Sequence, residues 1–147
     1  MHALRLVFVI FGVMGAFAAN AQSSSPVFLL GQGDMTTMHN WEVPRKQYEA
    51  LPKWSPADGS PPLAVNKALE IGSAWIKKRH PDVKQFDSSS LSFVRAGCCV
   101  SGDERWFYRI DFQPVVSGQR MYGGQFIAVV LMNGAVVEPR PENRAPR

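Results

Sequence analysis

The sequence predicts an α+β fold: one amphipathic helix packed on a four-stranded antiparallel meander sheet, preceded by an irregular, aromatic-rich arm. Three observations carry that expectation. Leu63–Pro81 places apolar residues at three- and four-residue spacing. Beyond it the period changes to two, most clearly over Trp106–Gln113. The dipeptide Asn133-Gly134, a strong two-residue hairpin signal, then sits between the last two apolar runs.

The chain opens with the features of a signal peptide over residues 1–21. Arg5 supplies a positive start, Leu6–Phe17 an apolar core too short to span a bilayer, and Ala19-Asn20-Ala21 a small-x-small cleavage site. No cysteine stands at the cut, so a lipoprotein anchor is not indicated, and no later stretch is long and apolar enough to span. The protein is therefore expected to be exported, periplasmic or secreted. Mass spectrometry of protein from its native host should find Gln22 at the N-terminus. An intact Met1 on exported protein would defeat this reading.

Residues 22–59 form the arm. Pro26, Pro44, Pro52 and Pro56 interrupt it, yet it holds Phe28, Trp41, Tyr48 and Trp54, too many aromatics for a disordered linker. The expectation is a loop-rich segment docked on the domain, with at most a short strand at Val27–Leu30. The domain itself covers residues 60–139. Ser60-Pro61-Pro62 reads as a helix start, with Ser60 as N-cap and Pro61 in the first turn, and Pro81 as the stop. Within that helix Val65, Ala68, Leu69, Gly72, Trp75 and Ile76 form the apolar stripe, and small residues at 68 and 72 let a sheet approach closely.

Leu91–Val100 reads as the first strand, and Ser101–Glu104 as a turn. Trp106, Tyr108, Ile110 and Phe112 alternate with Phe107, Arg109, Asp111 and Gln113 in the second strand. Phe126–Met132 is the third and Ala135–Glu138 the fourth. The third strand is apolar on both faces, so its second face must also be covered, by the arm or by a second copy of the chain. Phe107, Arg109, Ile127, Val129 and Leu131 are the candidate binding surface on that face. Residues 140–147, rich in proline, read as a disordered tail.

The formal net charge is +4, but Arg5 leaves with the signal and Arg140, Arg144 and Arg147 lie in the tail, so the folded part is near neutral. The basic residues form no stripe, and Lys77–His80 reads as a helix C-terminus, where positive charge suits the dipole. Nucleic acid is not an expected partner. The two cysteines, Cys98 and Cys99, are adjacent. Neighbouring Cα atoms lie about 3.8 Å apart, under the roughly 4.4 Å usual for a disulfide, and strand alternation points the side chains to opposite faces. Free thiols, a bond between chains and a strained vicinal disulfide remain open. His39 and His80, the histidines left after signal removal, match no zinc spacing. No paired carboxylates, phosphate loop or nucleophile elbow occurs. Hence no catalytic, metal-ligating or cofactor-binding residue is assigned.

Leu63–Ile76 with its preceding prolines, then "ERWFYRIDF" (Glu104–Phe112), then an apolar strand ending in Asn133-Gly134-Ala135-Val136-Val137, resembles the PepSY-type pattern of small exported bacterial domains. The closing turn departs from that pattern, which tends to carry an acidic residue and Thr-Gly. The resemblance implies a non-enzymatic envelope module that binds or restrains peptidases. The element order is also similar to the cystatin fold, and Gln113–Gly118 resembles the protease-blocking loop Q-x-V-x-G. Ser117 stands where the glycine belongs, however, and the segment leaves the second strand, so it reads as a strand end entering a turn.

The expected function is thus non-catalytic binding of an envelope protein or peptide, without cofactor. The alternatives are a small-ligand carrier or enzyme with a pocket between helix and curved sheet, and a structural homodimer.

Overall fold

A computed structural model describes residues 25–33, 37–96, 105–122 and 126–143. It corrects the expected fold class. The described chain is mostly β, with eight strands in two sheets and one long helix, in place of a single four-stranded sheet under a helix. The elements are β1 (Val27–Gly33), β2 (Thr37–Val43), α1 (Arg45–Glu49), α2 (Val65–Arg79), β3 (Phe86–Arg95), β4 (Trp106–Val116), β5 (Gln119–Arg120), β6 (Phe126–Leu131), β7 (Val136–Val137) and β8 (Pro139–Asn143). A three-stranded sheet runs β1-β2-β8. The five-stranded sheet runs β3-β4-β6-β7, with the short β5 added to β4.

The arm supplies most of the first correction. Its prolines punctuate strands and do not prevent them: Pro26 precedes β1 and Pro44 follows β2. On β2, Trp41 and Val43 turn inward and are buried, while the alternate residues Asn40 and Glu42 are partly exposed. The tail supplies the rest. Pro139–Asn143 pairs with β2 in the register Trp41↔Pro139 to Thr37↔Asn143, and residues 144–147 lie outside the described residues. Pro139 lacks a ladder donor, so pairing with β6 ends at Val137 and the chain passes to the other sheet across Glu138 alone.

These layers give two cores, one on each face of the larger sheet. On one face Leu29, Trp41, Val43, Tyr48 and Leu51 pack against Phe107, Ile127, Val129 and Leu131. On the other, Ala68 and Ile76 of α2 pack with Trp54 against Tyr108, Ile110, Phe112, Ala128 and Val130. The helix stripe falls partly as expected: Ala68, Gly72 and Ile76 are buried, Leu69 and Trp75 half-buried, and Val65 exposed.

The helix starts later than Ser60-Pro61 implies. Pro62 keeps the residue before it extended, and the Leu63 carbonyl accepts the Tyr108 hydroxyl and not a helical amide. The first bond of α2 runs from the Ala68 amide to the Ala64 carbonyl. The first strand of the larger sheet also differs from Leu91–Val100: it begins at Phe86 and ends at Arg95. Ser88, Ser89 and Ser90 carry no apolar alternation and are exposed, which hid this half of the strand from a pattern search. Gln113–Gly118 continues β4 into a two-residue hairpin turn with Ser117 and Gly118 both at positive φ, 51° and 77°. The Asn133-Gly134 hairpin forms, but around a three-residue loop: the Leu131 amide donates to the Ala135 carbonyl and the Gly134 amide to the Leu131 carbonyl. Gly134 takes φ 86°, and the Ala135 amide donates to the Asn133 side-chain oxygen.

Candidate functional site

The five residues of the candidate binding surface share one face of the larger sheet, as their alternation requires. Four of them are interior. Phe107, Val129 and Leu131 have no exposed surface and Ile127 has 4%. The three-stranded sheet covers them, so they hold the two sheets together. Arg109 remains half-buried, its guanidinium donating to Asp111 at 2.8 Å, while the Ser90 hydroxyl donates to the same carboxylate at 2.8 Å. Cys98 and Cys99 lie outside the described residues.

Two clefts open beside the cores. One, of about 170 Å³, lies along Gln32, Ser89, Arg109, Asp111, Gln113 and Ile127. The other, of about 180 Å³, lies between the C-terminal end of α2 and the three-stranded sheet, with Trp41, Trp75, Ile76, His80, Ile127 and Pro139 on its walls. Its charges are already matched. Glu138 accepts the Trp75 indole N–H at 2.6 Å and the Arg79 guanidinium at 2.5 Å, and Arg79 lies over the Trp75 ring at 5.4 Å. Among the described residues no group of three or more His, Cys, Asp or Glu side chains is placed to hold a metal.

His80 closes that cleft, its ring edge-on to Phe126 at 5.0 Å. Burial, and then the charge of Arg79, hold its pKa below the usual value of 6.5, with Asp82 opposing. The folded chain thus binds this proton less readily than the unfolded chain. The neutral His80 contributes its full stability above pH 6.5, and that contribution is lost as pH falls below it. The urea midpoint should be lower at about pH 5.5 than at about pH 7.5, and His80→Gln should shrink the difference. An unchanged pH dependence in the variant would show that other groups cause it.

The strand edges differ more than the clefts do. An edge strand offers unpaired N–H and C=O groups, and proteins usually blunt it with proline, lysine, a bulge or shortness. Edge strand β8 carries Pro139 and Pro141. Edge strand β7 is two residues long. Edge strand β1 has a register break between Phe28 and Leu30 and two glycines, Gly31 and Gly33. β3 is ten residues long and holds neither proline nor lysine. Its bulge, between Ser88 and Ser90, leaves Ser90–Arg95 in unbroken register with β4, from Ser90↔Asp111 to Arg95↔Trp106. Asp87 at its start is tied to Arg120 at 3.0 Å. Among the described residues no strand pairs with its outer side.

The sequence reading placed a strand here but assigned it no role. Only the half from Leu91 was legible, because Ser88–Ser90 break the alternation of the other half. That it lies at an edge follows only from the sheet order. Comparison with protein-family models, with curated proteins and with solved structures finds no match to this chain.

Proposed function

We propose that this chain is an exported, non-catalytic binding module of the bacterial cell envelope, and that it takes an extended segment of a partner protein as an added strand on β3. The observation that carries the reading is the contrast between β3 and the other edges: β1, β7 and β8 are blunted, and the longest edge, β3, has no strand on its outer side among the described residues. Main-chain hydrogen bonds would supply affinity and alternate side chains specificity. The resemblance to PepSY-type domains points the same way.

The carrier reading gains less support. Ligand pockets usually run from about 300 to 1,000 Å³, and the two clefts found among the described residues, about 170 and 180 Å³, fall below that. Both sheet faces are filled by packed side chains.

The test is capture from an envelope extract by the tagged mature protein, beside a Ser90→Lys variant that places a charge on the open edge. Binding of a specific protein should be lost in the variant, while its thermal melt stays close to wild type. Amides of Ser90–Arg95 should exchange more slowly with deuterium in the complex. Equal capture by both proteins, or protection elsewhere, would reject β3 as the site.

A further inference from the structure

An open edge of this length is a hazard to the free protein unless something covers it, and the composition of β3 indicates what. The following rests on the reading of β3 as a strand-accepting edge. We infer that in the free protein a second copy of the chain occupies it, pairing β3 with β3 antiparallel about a two-fold axis centred on Ser92.

The register with β4 sorts the side chains. Leu91 and Phe93 lie opposite Ile110 and Tyr108, on the face toward α2. Ser90, Ser92 and Val94 lie opposite Asp111, Arg109 and Phe107, on the face toward the three-stranded sheet. On the α2 side, Phe93 is the outermost ring of an aromatic cluster. Its ring lies 4.9 Å from Tyr108 and 5.3 Å from Trp54, and Trp54 meets Trp106 edge-on at 6.3 Å. Trp54 and Tyr108 are covered, but Phe93 remains 36% exposed at the rim.

Directly opposed residues of an antiparallel pair share a face, with Cβ atoms about 4.5–5.5 Å apart. A two-fold axis at Ser92 therefore sets Leu91 against Phe93 of the partner copy, twice, on the α2 side. On the other side it sets Ser90 against Val94, twice, and Ser92 against itself. Each exposed Phe93 gains an apolar neighbour. No charge is forced against a like charge, because Ser90–Val94 holds none. The Asp111 and Arg109 behind it neutralise one another. Axes one residue to either side fit less well. Centred on Leu91, the pairing sets Phe93 against the serine bulge; centred on Phe93, it sets Leu91 against Arg95. The bulge near Ser89 and the end of β3 at Arg95 frame the five-residue run symmetrically about Ser92. A partner's strand would then compete with the second copy for one edge.

Sedimentation equilibrium of the mature protein tests this, with a reductant present so that no bond through Cys98 or Cys99 contributes. Wild type should show a reversible dimer. Ser92→Lys and Ser92→Glu each place like charges face to face on the axis and should each weaken dimerisation by about tenfold or more. Mixed in equal amounts, the two variants should restore a dimer, which a folding defect would not allow. A wild type that stays monomeric up to about 0.2 mM, above the concentrations at which specific interfaces associate, would overturn the inference. So would a Ser92→Lys protein as dimeric as wild type. Either result leaves the partner-strand reading to the capture experiment. A β3-dependent dimer without β3-dependent capture would sink that reading and leave this one standing.

Discussion

Trp41→Ala should cost about 3–5 kcal/mol of unfolding free energy, the range for truncating a fully buried large aromatic. Trp41 is 3% exposed and belongs to the core between the two sheets, with Leu29, Val43, Phe107, Ile127 and Val129. Among the described residues its indole N–H meets no acceptor, so the expected loss is one of packing. Leu29 and Val43 of the three-stranded sheet share that core with it, and Trp41 is its largest side chain. The outer face of that sheet carries the long Arg140–Glu42 pair at 3.4 Å, exposed and worth little, and a hydrogen bond from Asn40 to Glu142. The loosened sheet should also uncover Phe107, Val129 and Leu131, so the variant should bind a hydrophobic dye that wild type does not. Urea melts at two wavelengths measure both. A loss under about 1 kcal/mol, the scale of a surface change, would mean that this sheet lies loosely on the domain.

The second large effect belongs to Gly72. A Cβ built there stands 2.8 Å from the Ile110 Cδ1, 3.5 Å from the Ala128 Cβ and 3.6 Å from the Phe112 Cζ. Ile110 is completely buried, and the larger leucine meets Ala128 and Phe112 as well. Gly72→Leu should therefore destabilise by about 3 kcal/mol, the upper part of the range for overpacking. Gly72→Ala separates the causes. Alanine gains roughly 1 kcal/mol of helix propensity over glycine, which offsets a single short contact with a side-chain end, so this variant should fall within about 1 kcal/mol of wild type. A leucine tolerated as well as the alanine would place α2 further from the sheet than the structure has it.

Both residues show how far the sequence could be read. Gly72 was legible: small residues at 68 and 72 on an apolar helical stripe announce a close approach, and the alternation in Trp106–Phe112 names what is approached. Trp41 was legible only as an aromatic too many for a linker. Its own strand carries a period of two over His39–Val43, but five residues ending at Pro44 are too short a run to outweigh the loop signal. Strand β8 had no signal at all. A segment reading Pro-Arg-Pro-Glu-Asn has no local preference for extended pairing, and it forms a strand because β2 offers it a ladder.

A periodicity complete within a dozen residues makes α2, β4, β6 and the Asn133-Gly134 turn legible without any tertiary contact. The sequence also required a cover for the second face of β6, since Ile127, Val129 and Leu131 are as apolar as the residues between them. Tertiary structure decided what that cover is, and which edge stays open. Three strands drawn from both ends of the domain form the cover, and the order β3-β4-β6-β7 leaves β3 outermost. Neither is written in a local pattern. A strand's pairing partner and its place in a sheet depend on contacts between residues as far apart as Thr37 and Asn143, whose pairing no short-range preference records.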